Sequence, residues 1–299
     1  MTTRFNRLPG VDRDQEDGEQ TRLPYLLVAP TVIWYIVFLL IPMAIITYYS
    51  FLTYAGLSVE STLTLDAWRY DVFNRRTADV FVRSIGIGLA VSLLTLVFGY
   101  PLAYYLRFHA SQYGGLILLL FLIIPFWTSG LVRTTGWFPL LGRTGVINGF
   151  LLTIGIIEEP LSWLLYSRFA QIVGYLQSYI LFMAAPIYIS MFSLDDNLLD
   201  ASETLRGGRV VTFHRVIWPL SLPGVAIGSI FVFVLAVGDF FVPQFLSGGQ
   251  STVTTSVFFY IETGLNYPTA AALSIAQLLI ILGLVSLVIR TVDITEMVQ

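Results

Sequence analysis

The chain has 299 residues, 56% of them hydrophobic and only 12% charged, with a mean hydropathy of +0.77; an ordinary soluble domain carries roughly 25% charged residues. Sixteen basic and nineteen acidic side chains cannot coat a water-soluble core of this size, which excludes a free cytosolic enzyme and predicts a membrane protein. A net charge of -3 leaves no basic stripe for nucleic acid, and zero cysteines exclude disulfides, iron–sulfur clusters and thiol chemistry.

Residues 1–23 are polar, mixed in sign and interrupted by Pro9 and Gly10, the pattern of a disordered tail rather than a signal peptide. Beyond them, long charge-free gaps set the topology, because an ionised group in hydrocarbon costs roughly 2.5–3.5 kcal/mol on insertion scales. Six gaps have a spanning composition, and they predict helices near 25–50, 80–107, 114–134, 169–193, 219–243 and 269–290. Segment 144–157 is too short to cross and is expected to form an interfacial helix. A seventh gap, 240–261, carries Pro243, Gly248, Gly249 and a Ser/Thr run from Ser251 to Ser256, and reads as a loop. The fold class is therefore an all-α integral membrane protein. A six-span domain covers 24–290, with a short tail at 291–299.

An even number of spans puts both termini on one side. That side collects nine arginines (4, 7, 13, 22, 107, 206, 209, 215 and 290) against seven elsewhere, which predicts cytoplasmic termini in the cytoplasmic membrane. Prolines 30, 42, 101, 125 and 186 fall inside spans, as is tolerated where helices pack or line a cavity.

The loop between the fourth and fifth spans, 194–218, is more polar than a connector requires. Leu194, Leu198, Ala201 and Leu205 make one helical stripe, with Ser193, Asp195 and Asp196 as caps. Gly207 and Gly208 are expected to end that helix in left-handed geometry. A second stripe follows at Val210, Phe213 and Ile217, and Pro219 suits the first turn of the fifth span. The apolar ridge of such an elbow either docks a partner protein or lies on lipid headgroups.

Asp200-Ala201-Ser202, Gly207-Gly208 and Val216-Ile217-Trp218-Pro219 resemble the cytoplasmic "EAA" loop of ABC-importer permeases. Aspartate replaces the family glutamate at 200, serine an alanine at 202 and tryptophan a leucine at 218. Arg206 stands at the family glycine, with glycine one residue later. Further motifs resemble the spermidine/putrescine branch: Gly99-Tyr100-Pro101-Leu102-Ala103-Tyr104, Pro125-Phe126-Trp127-Thr128, Leu131 to Trp137, Gly145-Val146-Ile147-Asn148 and Gly238-Asp239-Phe240-Phe241-Val242-Pro243. Related permeases for ferric iron, opines and phosphonates share some of these, so another small solute stays open as the alternative.

The resemblance implies a permease working beside a second, homologous permease, two cytoplasmic ATPases and an extracytoplasmic binding protein. Asp200, Ala201, Ser202 and Leu205 would lie at the ATPase contact, with Gly207, Gly208 and Pro219 shaping the elbow. The chain holds no phosphate-binding loop and no lysine to complete one, so it needs no cofactor of its own and ATP and Mg belong to the partner ATPase. No catalytic constellation exists; His109 and His214 lie far apart, and a metal site is not expected. Delivery of substrate from the binding protein would fall on outer loops 53–79, 135–168 and 244–268.

For the substrate path, a carboxylate at the membrane edge is the default pointer, here Asp239 beside Phe240. Ammonium groups need a counter-charge and gain cation–π contact when dehydrated, so Trp127 and Tyr104 are candidate faces. Asp239 could instead pair with Arg133 or cap a helix, and Arg133 could snorkel or structure the outer gate. Two other classes remain: a stand-alone secondary transporter, which would need a charge relay within its spans, and an intramembrane enzyme, which would need paired acids or an activated nucleophile.

Overall fold

The computed structural model describes residues 28–56, 58–195, 202 and 208–291. The chain divides into two units, 1–49 and 50–299. The first contributes one helix, α1 (Val28–Tyr49), apolar and long enough to cross a membrane.

The second unit opens with an antiparallel hairpin, β1 (Leu52–Tyr54) and β2 (Val59–Leu63), and a π-helical turn at Ala67–Val72. Helices follow at α2 (Arg75–Phe108), α3 (Gln112–Ile123), α4 (Gly130–Thr135), α5 (Phe138–Leu141), α6 (Val146–Thr153) and α7 (Arg168–Phe192). Then come α8 (Arg209–Gly238), α9 (Phe241–Leu246), α10 (Val253–Glu262) and α11 (Tyr267–Thr291). Among the described residues, α1, α2, α7, α8 and α11 are long and apolar enough to span, and a bent pair can act as a sixth.

That pair stands where a single third span is expected at 114–134. Tyr113–Trp127 and Gly130–Thr153 meet at a 108° bend. Pro125 leads a 3-10 turn, Ile124–Trp127, and Thr128 Oγ1 donates to Pro125 O. Ser129 then starts a new helix, its Oγ accepting from the Val132 N–H at 3.2 Å. A serine N-cap two residues after a proline turn ends one helix and begins another.

The expected loop at 240–261 is also corrected, because it folds as α9 and α10. Thr252 and Thr255 form a reciprocal capping box, so the Ser/Thr run that reads as loop chemistry begins a helix. Gly248 and Gly249 take positive φ between the two helices. The short helix expected within 144–157 is present as α6.

The fifth span also shifts. It starts at Arg209 rather than 219 and ends at Gly238 rather than 243, so the second amphipathic stripe is the first turns of α8 rather than a separate surface helix. Pro219 is consequently inside the helix. The Trp218 N–H bonds back to Phe213 O across a π turn, Phe213–Ile217, immediately before it. In α1 the Ile41 N–H bonds to Ile36 O across Ile36–Leu40, immediately before Pro42. Proline lacks an N–H and crowds the carbonyl four residues back, and one inserted residue relieves both.

Helices α2, α7 and α8 pack into the core through small residues, as membrane helices do without a strong hydrophobic drive between them. A Cβ on Gly224 would meet Pro186 O at 2.5 Å, one on Gly228 would meet Met183 O at 3.0 Å, and one on Gly88 would meet Val237 at 2.5 Å. Buried Ala103, Met183, Ile187, Met191, Val232 and Ala236 fill the interior. A second cluster joins the 67–72 turn to α2, α10 and α11 through Val72, Phe81, Val253, Ala272 and Leu273. Three hydrogen bonds tie these layers: Thr269 Oγ1 to Asp71 Oδ2 at 2.6 Å, the Val253 N–H to Ser84 Oγ at 3.0 Å, and Gln277 Nε2 to Val237 O at 3.1 Å. Burial, and then the nearby Asp71 charge, raise the Tyr260 hydroxyl above its ordinary pKa.

Candidate translocation and coupling sites

Two polar and aromatic clusters occupy opposite ends of the α2–α7–α8 bundle. The first is organised by Asp239, where α8 stops and the backbone turns extended. Its carboxylate accepts from the Tyr179 hydroxyl at 2.6 Å and from the Val242 N–H at 3.2 Å, so it both engages α7 and caps α9. Its backbone oxygen accepts from Thr254 Oγ1 at 2.8 Å, tying in α10.

Arg133 makes no ion pair with Asp239. Its guanidinium lies over the Phe126 ring at 5.2 Å, and its Nε is buried without a hydrogen-bond partner. Phe126 meets Phe182 edge-on at 5.1 Å, and Phe182 sits beside Tyr179. The bend after Trp127 therefore carries Phe126 and Arg133 to the same region of α7.

One face of α7 presents Gln171, Tyr175 and Tyr179 at intervals of four residues, all buried. The Tyr175 and Tyr179 rings stack at 5.9 Å. Gln171 lies one turn before Tyr175, and its side chain interacts with the Tyr175 hydroxyl. Both tyrosines share a core cluster with Val242 and Leu246 of α9, and the Ser167 N–H donates to Leu246 O. α9 thus lies against α7, close enough that a Cβ on Gly174 would meet Leu246 Cδ1 at 2.5 Å.

The other proposed aromatic faces are elsewhere. Trp127 is 87% exposed. Tyr104 lies toward the opposite end of α2, packed on Phe108, His109 and Phe213. Phe240 turns from Asp239 toward Phe258, 4.5 Å between ring centroids, and lines an apolar cavity of about 430 Å³ between α10 and α11. Sequence reading missed Tyr179, Tyr175, Gln171 and Phe126. The signal was present as a polar stripe at helical spacing inside an apolar span.

The second cluster surrounds the start of α8. Tyr100 hydrogen-bonds Ser221 Oγ at 2.9 Å, and its ring packs on Trp218 at 5.0 Å and Phe213 at 5.8 Å. Arg107 Nε donates to Met191 O, and Ser190 Oγ donates to Leu220 O. Ser193 caps the C-terminus of α7, its Oγ donating to Ser190 O, rather than opening a loop helix.

Asp200, Ala201, Leu205 and Gly207 lie outside the described residues. Ser202 Oγ hydrogen-bonds Thr212 Oγ1 at 2.8 Å, fastening the loop to the first turn of α8. Gly208 is the N-cap of α8 with φ -64°, so it uses no left-handed geometry; its carbonyl accepts from the Val211 and Thr212 N–H groups. Of the second stripe, Val210 is exposed and Ile217 is buried in the core.

The architecture is that of the membrane subunit of an ABC importer. It matches a crystal structure of a bacterial ABC transporter involved in the import of the acidic polysaccharide alginate, with a TM-score of 0.70 and 18% identity over 94% of this chain and 98% of that one. The inward-facing MetNI methionine ABC transporter matches with a TM-score of 0.51 and 15% identity, over 75% of this chain and 99% of that one. The chain matches no family profile. It is 33% identical over 267 residues to the spermidine/putrescine transport system permease protein PotB of Escherichia coli, covering 88% of this chain and 94% of that protein. PotB of Haemophilus influenzae is 32% identical over 246 residues, 81% and 84% of the two chains. The inner membrane ABC transporter permease protein YdcU of Escherichia coli is 30% identical over 237 residues, 75% of each. The chain belongs to the spermidine/putrescine permease family of ABC importers.

Proposed function

We propose that this permease imports a polyamine across the cytoplasmic membrane as one half of a permease pair. Its partners would be a second, homologous permease, two cytoplasmic ATPases that use ATP and Mg, and an extracytoplasmic binding protein. The observation that carries the substrate reading is Asp239. It is a carboxylate held in the bundle by Tyr179, with aromatic rings in reach and no arginine bound to it, which is the chemistry an ammonium ion needs. Arg133, not bonded to it, lies near enough to act on it as a compensating charge.

The arginine bias supports cytoplasmic termini, which puts Asp239 toward the outer end of α8 and the 194–218 loop on the ATPase side. Asp200, Ala201, Ser202 and Leu205 would dock in the ATPase. The Ser202–Thr212 bond and the rigid start of α8 would then pass movement from that contact into the bundle.

The test is uptake of labelled putrescine and spermidine into proteoliposomes holding this chain with its sister permease, ATPase and binding protein. Uptake should require ATP and should disappear, together with ATPase co-purification, when 196–207 is replaced by a glycine–serine linker of equal length that leaves α8 intact from Arg209. Flux without ATP by this chain alone would overturn the reading.

A further inference from the structure

Arg133 is a half-buried cation held by a ring instead of by an acceptor. Its guanidinium sits over Phe126 at 5.2 Å, and its Nε is buried with no hydrogen-bond partner. A cation–π contact leaves that N–H unsatisfied, and a buried charged donor without an acceptor is costly.

An acceptor is close by. Phe126, Phe182 and Tyr179 run in series from Arg133 to Asp239: the first two rings meet at 5.1 Å, the next two at 6.5 Å, and the Tyr179 hydroxyl donates to the carboxylate at 2.6 Å. Arg133 is near enough for its charge to act on both Tyr179 and Asp239. The backbone brings the pair together as well. Helix α4, which carries Arg133, packs on α9, which Asp239 caps, so closely that a Cβ on Gly130 would meet Phe241 at 2.8 Å. An ionised carboxylate accepts at about four lone pairs. Asp239 receives the Tyr179 hydroxyl on one oxygen and the Val242 N–H on the other, with the Phe241 N–H beside them, which leaves room for a further donor.

We propose that Arg133 competes with the substrate for Asp239: over Phe126, as here, it leaves the carboxylate open to an ammonium ion, and swung onto Asp239 it displaces that ion and bars its return. This deepens the polyamine reading above and rests on it. The exchange replaces one charge-assisted bond by another, so a buried carboxylate gives up its ligand without being left uncompensated. A neutral solute has no charge with which to hold Asp239 against Arg133, which makes the pair a filter for cations.

The experiment measures equilibrium binding of labelled putrescine to the permease–ATPase complex in proteoliposomes, then the maximal rate of ATP-dependent uptake once binding protein is added. Arg133→Gln removes the competitor and should tighten binding about tenfold while lowering the maximal rate by a similar factor, because release becomes slow. A merely structural role for Arg133 predicts weaker binding instead. Arg133→Lys keeps the charge but not the planar fork and should tighten binding about threefold, so the exchange is decided even if the glutamine variant yields no folded complex. In an Asp239→Asn background, Arg133→Gln should tighten nothing further, since the two residues act as a pair. Weaker or unchanged binding in either single variant, or the same tightening with and without Asp239, would overturn the exchange while leaving the polyamine reading intact. An unmodified complex that hydrolyses ATP with binding protein present yet takes up neither putrescine nor spermidine would overturn both.

Discussion

The two ends of the α2–α7–α8 bundle are built from similar residues and solve opposite problems. Around Tyr100 the hydroxyl is satisfied by Ser221 and the ring is wedged between Trp218 and Phe213. Around Tyr175 a ring of the same type is fully buried and stacks on Tyr179, whose hydroxyl donates to the Asp239 carboxylate. A neutral, satisfied cluster resists rearrangement and suits a joint that transmits force, whereas one built around a carboxylate attracts a cation. The aromatic residues do not distinguish them; the Asp239 carboxylate does.

The largest perturbation should be Gly224→Val, which breaks the scaffold shared by both ends. Its side chain would collide with Pro186 O and Ile187 Cα, and we expect loss of more than about 3 kcal/mol, read as failure to recover a monodisperse protein in detergent. Asp239→Asn keeps the shape and removes the charge. Uptake efficiency should fall about 100-fold while the ATPase still co-purifies, and a matching loss of ATPase binding would show the two ends to be one unit.

Asn148→Ala tests a staple outside both clusters. The fully buried Asn148 amide donates to Gly142 O and Leu161 O and accepts from the Leu161 N–H. Its loss should cost about 2 kcal/mol and appear as faster proteolysis within 142–161, with the uptake ratio of the two polyamines unchanged. Tyr100→Phe should do least to stability, about 1 kcal/mol, and should raise ATP hydrolysed per polyamine imported without altering substrate preference. A change in preference would mean that the joint also contacts substrate.

Much of this was legible in the chain. Spans α1, α2, α7 and α11 follow from charge-free apolar runs, and the loop motifs indicate the family before any coordinates are considered. The α2 start was set too late, because Arg75, Arg76, Asp79 and Arg83 belong to the helix but not to its apolar run; Asn74 caps it by accepting from the Thr77 N–H. The new helix start in the third span was not legible, because Ser129 is unremarkable until its side chain caps that helix. Trp127 and Tyr104 were reasonable aromatic candidates, but the bend turned Phe126 inward instead, and Tyr104 lies a full span away from Asp239.

By itself, then, the sequence determined the membrane class, the number of apolar crossings to within one and the permease family. Those follow from composition and local spacing, which act through transfer energies summed along a segment. Only the tertiary structure decided that Asp239 bonds Tyr179 rather than Arg133, and that Gln171 and Tyr175 are buried on the same face of α7. Whether a polar group is satisfied depends on atoms brought from 60 residues away, to within a few tenths of an ångström, and no local pattern encodes that distance.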